Sequence, residues 1–282
     1  MTMNLVLQGP EAAQALLAGI GALARPARTL ALSAHALRCE DVADTPDVRE
    51  QVATAAFAAG VDATFIAAGR RLADFALVAM DMDSTLITIE CIDEIADMQG
   101  LKAQVSEITE AAMRGELDFA ASLTRRVALL EGLEASALER VYEERLRISP
   151  GGEAMLAAVQ AAGFKTLLVS GGFTFFTERL QQRLGLDYAH ANVLEIENGR
   201  LTGRVVGGIV DAEEKRRTVE RVCMELDIDP RQAIVMGDGA NDLRMMGIAG
   251  LSVAFRAKPV VRAQAGVALN FSGLDGILNV LA

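Results

Sequence analysis

Short apolar runs recur along the chain and alternate with longer amphipathic stretches. Three of these runs are FALVAMD at 75–81, FKTLLVSGG at 164–172 and AIVMGDG at 233–239, and each ends in small or acidic residues. Runs of this kind predict strands buried on both faces, as in a parallel sheet. Helical periodicity fills the intervals at 153–162, 174–184, 213–227 and 241–248. The alternation predicts an α/β fold in which helices cover both faces of a parallel sheet.

The stretch between the first two of these strands, at about 88–150, is amphipathic and carries almost no strand signal. Its periodicity predicts four or five short helices. This is more chain than a single crossover between parallel strands requires. We therefore expect a helical cap inserted into a core unit that spans residues 75–282.

Residues 1–74 follow a different pattern. Strand-like runs begin at Met3, Ala27 and Val61, and the run at Ala27 is long enough for one or two strands. Helical periodicity starts near Pro10 and at Pro46. Thr45 is a suitable N-cap for the second helix, and Gly60 a suitable stop. The order β-α-β-α-β predicts a small separate α/β domain. It contains no charged cluster typical of catalysis, so we expect a regulatory or packing role.

Composition narrows the classes of function. The 282 residues are 51% hydrophobic and 23% charged, which is typical of a folded globular protein. A net charge of -11 argues against nucleic-acid binding, which needs a basic surface. We find no basic leader and no apolar run of about 18 residues, so we expect no membrane association. The cysteines lack metal-like spacing and indicate reduced thiols in the cytoplasm: Cys39, Cys91 and Cys223.

Acidic residues stand where two of the predicted core strands end. Asp81 and Asp83 follow the first strand, and Asp238 follows another. The carboxyl ends of parallel strands share one edge of the sheet, so these acids should meet there. Neighbouring carboxylates repel one another unless they share a cation, and this ligand set suits Mg²⁺. The DxD spacing favours Asp81 as a nucleophile toward phosphorus, with Asp83 near enough to protonate the leaving alkoxide.

The SGG turn at 170–172 joins a predicted buried strand to a helix. A hydroxyl with exposed amides at a helix N-terminus can bind an anion, and glycine lets the backbone approach closely. Lys215 could supply a positive charge over a phosphate. The surrounding EEKRR is equally typical of a solvated helix face, so the residues alone do not decide its role.

These motifs, in this order, resemble the haloacid dehalogenase superfamily of aspartate-nucleophile phosphatases. The resemblance is closest to its phosphoserine phosphatase family, in the stretches at 81–97, 112–130, 169–176, 184–203 and 237–246. It implies a Rossmann-like core with a helical cap, Mg²⁺ dependence, and hydrolysis of O-phospho-L-serine as the last step of serine biosynthesis. Some bacterial members carry an N-terminal unit of the ACT type, which residues 1–74 resemble.

The resemblance also implies roles for individual residues. Asp81 is the nucleophile, Asp83 is the general acid and base, and Asp81 and Asp238 ligate Mg²⁺ together with the backbone carbonyl of Asp83. Asp242 supports the metal from behind, and Asn241 holds Lys215 or a phosphate oxygen. The phosphate contacts are Ser170, Gly171 and Lys215.

Substrate choice should lie in the cap. Phosphoserine carries an ammonium and a carboxylate beside its phosphate, so its site needs both an anion and a cation. Glu90 suits the ammonium, and Arg126 can bind the carboxylate bidentately. From the residues alone, Arg125 is an equal candidate for the second role. The resemblance favours Arg126 and adds Met113 and Phe119 as apolar lid residues.

Two other functions stay open. A related phosphatase or phosphotransferase could act on phosphothreonine or phosphohomoserine, since only cap chemistry separates these substrates. A non-enzymatic regulator could have kept the fold, but an intact set of motif residues argues against it. The N-terminal unit lacks an obvious ligand-binding signature and could equally be a packing element or support a homodimer.

Overall fold

Two sheets organise the protein in a computed structural model, which describes residues 2–113 and 116–282 but not the Met113 side chain. The first sheet is antiparallel, has the order β2-β3-β1-β4, and carries two helices in a β-α-β-β-α-β sequence. Its elements are β1 (Met3–Gln8), α1 (Gln14–Gly21), β2 (Arg28–Ser33), β3 (Ala36–Glu40), α2 (Pro46–Ala58) and β4 (Asp62–Ala67). This is the ferredoxin-like order.

The predicted start of the second helix is confirmed. Thr45 caps α2 by accepting a hydrogen bond from the amide of Val48, and Pro46 occupies the first turn. The predicted start of the first helix near Pro10 is wrong. The amide of Ala12 bonds the carbonyl of Gly9 in a turn, and extended backbone at Ala13 delays the helix to Gln14.

The second sheet has seven strands in the order β11-β10-β9-β5-β6-β7-β8. They are β5 (Leu77–Met80), β6 (Lys165–Phe173), β7 (Tyr188–Glu197), β8 (Arg200–Val206), β9 (Ala233–Gly237), β10 (Leu251–Phe255) and β11 (Val267–Leu269). All neighbouring pairs are parallel except β7 with β8. The three predicted core strands are therefore confirmed as β5, β6 and β9.

The hairpin of β7 and β8 was not predicted. Asn198 and Gly199 connect the two strands, and both have positive φ, 52° and 75°. Asn-Gly is the residue pair that a two-residue hairpin turn of this hand prefers. This dipeptide was the signal in the sequence that could have revealed the hairpin.

In the described part of the chain, four helices fall in the predicted insertion at about 88–150: α3 (Cys91–Asp97), α4 (Lys102–Met113), α5 (Phe119–Ala128) and α6 (Ser136–Arg140). A tight irregular turn at Met82–Leu86 precedes them, and a π-helical turn at Val141–Arg145 follows them. The remaining helices are α7 (Gly152–Ala161), α8 (Thr174–Leu184), α9 (Ala212–Glu225), α10 (Leu243–Ile248), α11 (Pro259–Arg262) and α12 (Gly276–Val280). The unit limits 1–74, 75–282 and about 88–150 stay predictions.

The sheet is covered on both faces. All four residues of β5 are fully buried, and they alternate between two hydrophobic clusters. Val78 and Met80 pack in the cluster that includes the cap, whereas Leu77 and Ala79 pack in the cluster beneath α9 and α10. Full burial of one such side chain contributes about 1.5–3 kcal/mol to stability. This core fixes the strand end from which Asp81 emerges.

The N-terminal sheet packs against the end of the chain. The buried carboxylate of Asp62, at the start of β4, accepts hydrogen bonds from the backbone amides of Asn270, Phe271 and Ser272. Val6 and Ile66 belong to the same hydrophobic cluster as the core of the larger sheet. The smaller sheet is thus joined to the larger one through both polar and apolar contacts.

Within the described residues, every helix is too short or too polar to cross a membrane.

Candidate active site

Three carboxylates meet at the carboxyl edge of the larger sheet. Asp81 follows β5 and Asp238 follows β9, its neighbour, while Asp242 ends a 3-10 turn before α10. One oxygen from each lies within 4.8 Å of the others. Burial and the charge of Asp242 raise the pKa of Asp81 well above its usual range. Burial, Asp242 and Glu90 raise the pKa of Asp238 to about 7. Such mutual repulsion is what a divalent cation would relieve.

Lys215 lies fully buried beside these acids. Its Nζ is 2.8 Å from Oδ1 of Asp81 and 2.8 Å from Oδ1 of Asp242. Burial favours the neutral amine, but the two carboxylates outweigh this effect and raise the pKa of Lys215. The two carboxylates therefore favour the charged ammonium, and full burial shows that the solvated-face interpretation of this residue is wrong. Its neighbour Arg217 takes the exposed side of α9 instead.

The segment after Asp81 turns back on itself and brings Asp83 close to Glu90. Asp81 Oδ1 accepts a hydrogen bond from the amide of Met82 at 2.7 Å. Ser84 takes a left-handed conformation, φ 55°, and its hydroxyl donates to Oε1 of Glu90 at 2.6 Å. Asp83 Oδ1 accepts from the amide of Cys91 at 3.1 Å. Burial and the charge of Glu90 raise the pKa of Asp83 to about 7.

The SGG residues, predicted as a turn after the strand, are the irregular last part of β6 and lie directly opposite this segment; we refer to them as the SGG turn. The hydroxyl oxygen of Ser170 accepts a hydrogen bond from the amide of Gly172 at 2.9 Å. A Cβ at Gly172 would lie 2.7 Å from Oδ2 of Asp83, and one at Gly171 would lie 2.8 Å from Cζ of Phe119. A side chain at either position would displace Asp83 or Phe119, because this segment is held between the DxD segment and the cap.

A cavity of about 690 Å³ opens between the sheet edge and the cap. It brings together most of the predicted site residues: Asp81, Asp83, Glu90, Phe119, Arg126, Ser170, Gly171, Asp238 and Asn241. Lys215 and Asp242 are fully buried at the acid cluster rather than among the lining residues. The Met113 side chain lies outside the described residues. Lys215 donates to Asp81 and Asp242, and Asn241 lines the cavity.

The structure distinguishes the two cap arginines. Arg126 lines the cavity, whereas Arg125 is exposed and outside the lining. Nε of Arg126 is buried and has no hydrogen-bond partner among the described residues. Burial lowers the pKa of Arg126, while Asp93 and Glu90 oppose that shift. Burial within the cavity likewise raises the pKa of Glu90, whose hydrogen bond from Ser84 opposes the shift. An unpaired guanidinium nitrogen and a carboxylate thus share one cavity.

Two charged residues of the cavity were not predicted. Lys258 lies at its edge, exposed, and its backbone amide donates to the carbonyl of Asp238 at 3.1 Å. It follows the carboxyl end of β10, so the strand-end rule that found Asp81 could have found it too. Asp93 lines the cavity from the first turn of α3, but nothing in its spacing distinguishes it from its neighbours.

The chain is similar to known proteins over its full length. The model of the haloacid dehalogenase-like hydrolase family matches residues 78–247. A phosphoserine phosphatase from Polaromonas sp. is 58% identical over 216 residues, which is 75% of this chain and 92% of that protein.

Two solved structures also include the N-terminal sheet. A haloacid dehalogenase family hydrolase from Salmonella enterica serovar Typhi has a TM-score of 0.89 and 32% identity, covering 100% of this chain and 99% of its own. A structure described as a probable phosphoserine phosphatase from Vibrio cholerae has a TM-score of 0.83 and 36% identity, covering 99% and 86%. The chain therefore belongs to the phosphoserine phosphatase family of the haloacid dehalogenase-like hydrolases.

Proposed function

We propose that this protein hydrolyses O-phospho-L-serine to L-serine and phosphate through an aspartyl-phosphate on Asp81. The observation that carries the proposal is the cavity itself. One part of its lining has the Asp81 carboxylate and the SGG turn, which suit a phosphoryl group, and another has Glu90 and Arg126, which suit an amino acid. The lining therefore has suitable groups for both the phosphoryl group and the amino-acid part of phosphoserine.

The acid cluster fits Mg²⁺. Three carboxylates within 4.8 Å, two of them with raised pKa values, form a hard-oxygen donor set short of positive charge. Asp81 and Asp238 would hold the ion through side-chain oxygens, and Asp83 through its carbonyl. When bound, Mg²⁺ supplies charge neutralisation for the phosphoryl oxygens. Asp242 would hold Lys215 in place beside the cluster through its ion pair with the ammonium.

Asp81 is suited to act as the nucleophile. Met82 and Lys215 both contact its Oδ1, and Oδ2, which has no hydrogen bond from the described residues, would attack phosphorus. The attack forms a bond between Asp81 and phosphorus and breaks the bond from phosphorus to the serine oxygen. Water then attacks the same phosphorus, releases phosphate and restores the carboxylate.

Asp83 would move the protons of both steps. A carboxyl whose pKa is near 7 is protonated often enough to donate and ionised often enough to accept at neutral pH. Asp83 would protonate the departing serine oxygen and then take a proton from the attacking water. Its hydrogen bond from the Cys91 amide holds one oxygen in place while the other lies toward Gly172.

The rest of the lining would bind substrate. Ser170, Gly171, Asn241 and the Lys215 ammonium would hold the phosphoryl group. The carboxylate of Glu90 would pair with the substrate ammonium, and the unpaired Nε of Arg126 would join a bidentate contact to the substrate carboxylate. Phe119, which covers Gly171, would close the site together with Met113.

Replacing Arg126 with alanine should lower kcat/KM for L-phosphoserine by about 100-fold, the size expected when one partner of a desolvated charge pair is removed. The loss should be much smaller for phosphoethanolamine, which lacks a carboxylate. Arg125→Ala is the matched control and should leave both substrates unaffected, since Arg125 is exposed. Equal losses on both substrates would remove Arg126 from carboxylate recognition.

The proposal as a whole is tested by phosphate release from L-phosphoserine, L-phosphothreonine, phosphoethanolamine and an aryl phosphate, each with Mg²⁺ and with a chelator. We expect at least about a tenfold preference for L-phosphoserine over phosphoethanolamine, which leaves Arg126 unpaired, and over the aryl phosphate, which leaves both Arg126 and Glu90 unpaired. L-phosphothreonine keeps both charged groups, so it tests whether the cavity rejects an added methyl group. The chelator should abolish turnover. Metal-dependent hydrolysis without this preference would keep the mechanism and reject the substrate, favouring a phosphatase for another small metabolite.

The proposal places the enzyme at the last step of serine biosynthesis, in the cytoplasm. Three free cysteines, all buried, suit a reducing compartment. The N-terminal sheet would serve as an ACT-like packing element, and a homodimer stays a prediction.

A further inference from the structure

The parallel pairing of β6 with β7 is interrupted at the SGG turn. Val169 pairs with His190, and the register resumes only where Phe173 pairs with Asn192. Three residues of β6, Ser170 to Gly172, therefore stand opposite the single residue Ala191. The turn leaves the regular ladder at the point where its backbone lines the cavity. Something other than regular pairing must hold it.

Asn192 supplies that contact. Its side chain is 1% exposed, and its Nδ2 donates to the carbonyl of Gly171 at 2.7 Å. Its Oδ1 accepts a hydrogen bond from the backbone amide of Val210 at 2.8 Å. One buried amide therefore connects the turn to the segment that precedes α9. A Cβ at Gly171 would also lie 3.5 Å from the carbonyl of Val210, so the two segments are in close contact.

The segment at Val210 leads directly to Lys215. The next residue, Asp211, caps α9 by accepting from the amides of Glu213 and Glu214. The amide of Lys215 then donates to the carbonyl of Asp211 at 2.9 Å. Lys215 thus lies in the first turn of a helix whose start is fixed by its cap and by the bond from Val210 to Asn192. A shift of Val210 would move the ammonium relative to Asp81.

We propose that Asn192 is a positioning residue, which sets the distance between the phosphate-binding turn and the Lys215 ammonium. It is not itself a lining residue of the cavity, and it acts by holding Gly171 with its donor and the start of α9 with its acceptor. The inference rests on the proposed function only in taking the turn and Lys215 as the phosphate site. It adds a residue that was given no role in the sequence analysis and that is not in the cavity lining.

Binding of inorganic phosphate in the presence of Mg²⁺, measured by titration calorimetry, tests the inference without requiring turnover. Asn192→Asp keeps an oxygen for the Val210 amide but cannot donate to Gly171 when ionised. Asn192→Ala removes both bonds and adds no buried charge. Each variant should weaken phosphate binding by at least about tenfold, the effect of roughly one lost hydrogen bond to a buried group.

The matched control is Asn279→Ala. Asn279 is a partly buried asparagine outside the cavity lining, and its side-chain amide donates to Gln8 at a distance of 2.8 Å. This variant should bind phosphate like the parent protein. If Asn192 had a purely structural role, its variants would lower Tm but leave phosphate binding unchanged. Inhibition by L-serine provides a second readout, because the amino-acid part of the site does not depend on Asn192.

Weaker phosphate binding with unchanged serine inhibition supports the inference. Normal phosphate binding by both Asn192 variants overturns it, and so does an equal loss of phosphate and serine binding. Should the parent protein bind phosphate but prefer another ester to L-phosphoserine, the proposed substrate fails while the role of Asn192 is still decided by the calorimetry.

Discussion

Replacing Asp81 with asparagine should abolish turnover, with a loss of about 10⁴-fold or more, while the protein stays folded. Removal of a covalent nucleophile produces losses of this order, because the remaining site can only bind and polarise the substrate. The fold should survive, since Asp81 is a carboxylate whose pKa is raised by burial and by Asp242. A neutral amide relieves that repulsion, and Lys215 keeps its bond to Asp242.

The measurement is phosphate release from L-phosphoserine together with thermal unfolding of the same preparation. Asp227→Asn is the matched control, because Asp227 is exposed after α9 and has a φ of 54° that asparagine also tolerates. The control should retain full activity. Hydrolysis by Asp81→Asn within tenfold of the parent rate would contradict the assignment of the nucleophile.

Replacing Lys215 with methionine should remove activity and also destabilise the protein by about 3–5 kcal/mol at pH 8, when no divalent ion is present. The substitution conserves much of the side-chain volume but leaves the buried Asp81 and Asp242 without their shared cation. The pKa of Asp81 is already raised with Lys215 present, so it should rise further in the variant. The folded variant then binds more protons than the unfolded chain.

Stability of the Lys215 variant should therefore increase relative to the parent as the pH falls from 8 to 6. Added Mg²⁺ should restore part of it at pH 8, by replacing the missing positive charge. Urea unfolding at each pH, with chelator and with Mg²⁺, measures both effects. Lys165→Met serves as the control, since that exposed lysine pairs with Asp187 at the surface and should cost little. A deficit independent of both pH and Mg²⁺ would mean that packing, rather than charge, is what Lys215 provides.

The parts of the site that sequence could predict are those carried by strand ends. Asp81, Ser170 and Asp238 each follow a continuous apolar run, and one edge of a parallel sheet necessarily gathers them. The DxD spacing then assigned the chemistry. The apolar runs were informative because strands buried on both faces admit few polar residues.

Helix faces were harder to predict, because burial there depends on tertiary packing. Lys215 is fully buried while Arg217 is exposed, yet both stand in the same charged run. Arg125 and Arg126 differ in sequence position by one residue, and only the packing of α5 turns Arg126 toward the cavity. Successive side chains are rotated by about 100° around the helix axis, so two neighbouring arginines point in different directions. The local sequence does not show which of them faces the cavity.

Contacts between distant segments were out of reach of sequence patterns. Asn192 lies in β7 of the hairpin that the Asn-Gly pair could have revealed, but nothing in the local pattern distinguishes it from its neighbours. Its importance arises only from meeting Gly171, 21 residues before it, and Val210, 18 residues after it.

The bond of Asp62 to the turn at Asn270, Phe271 and Ser272 has a consequence for how the chain can be divided. Three amides that Asp62 satisfies would lose their acceptor if the first 74 residues were removed. The apolar surface that now meets Val6 and Ile66 would be exposed to water as well. The N-terminal sheet therefore stabilises the larger unit, and we expect the two to unfold in one cooperative transition rather than independently.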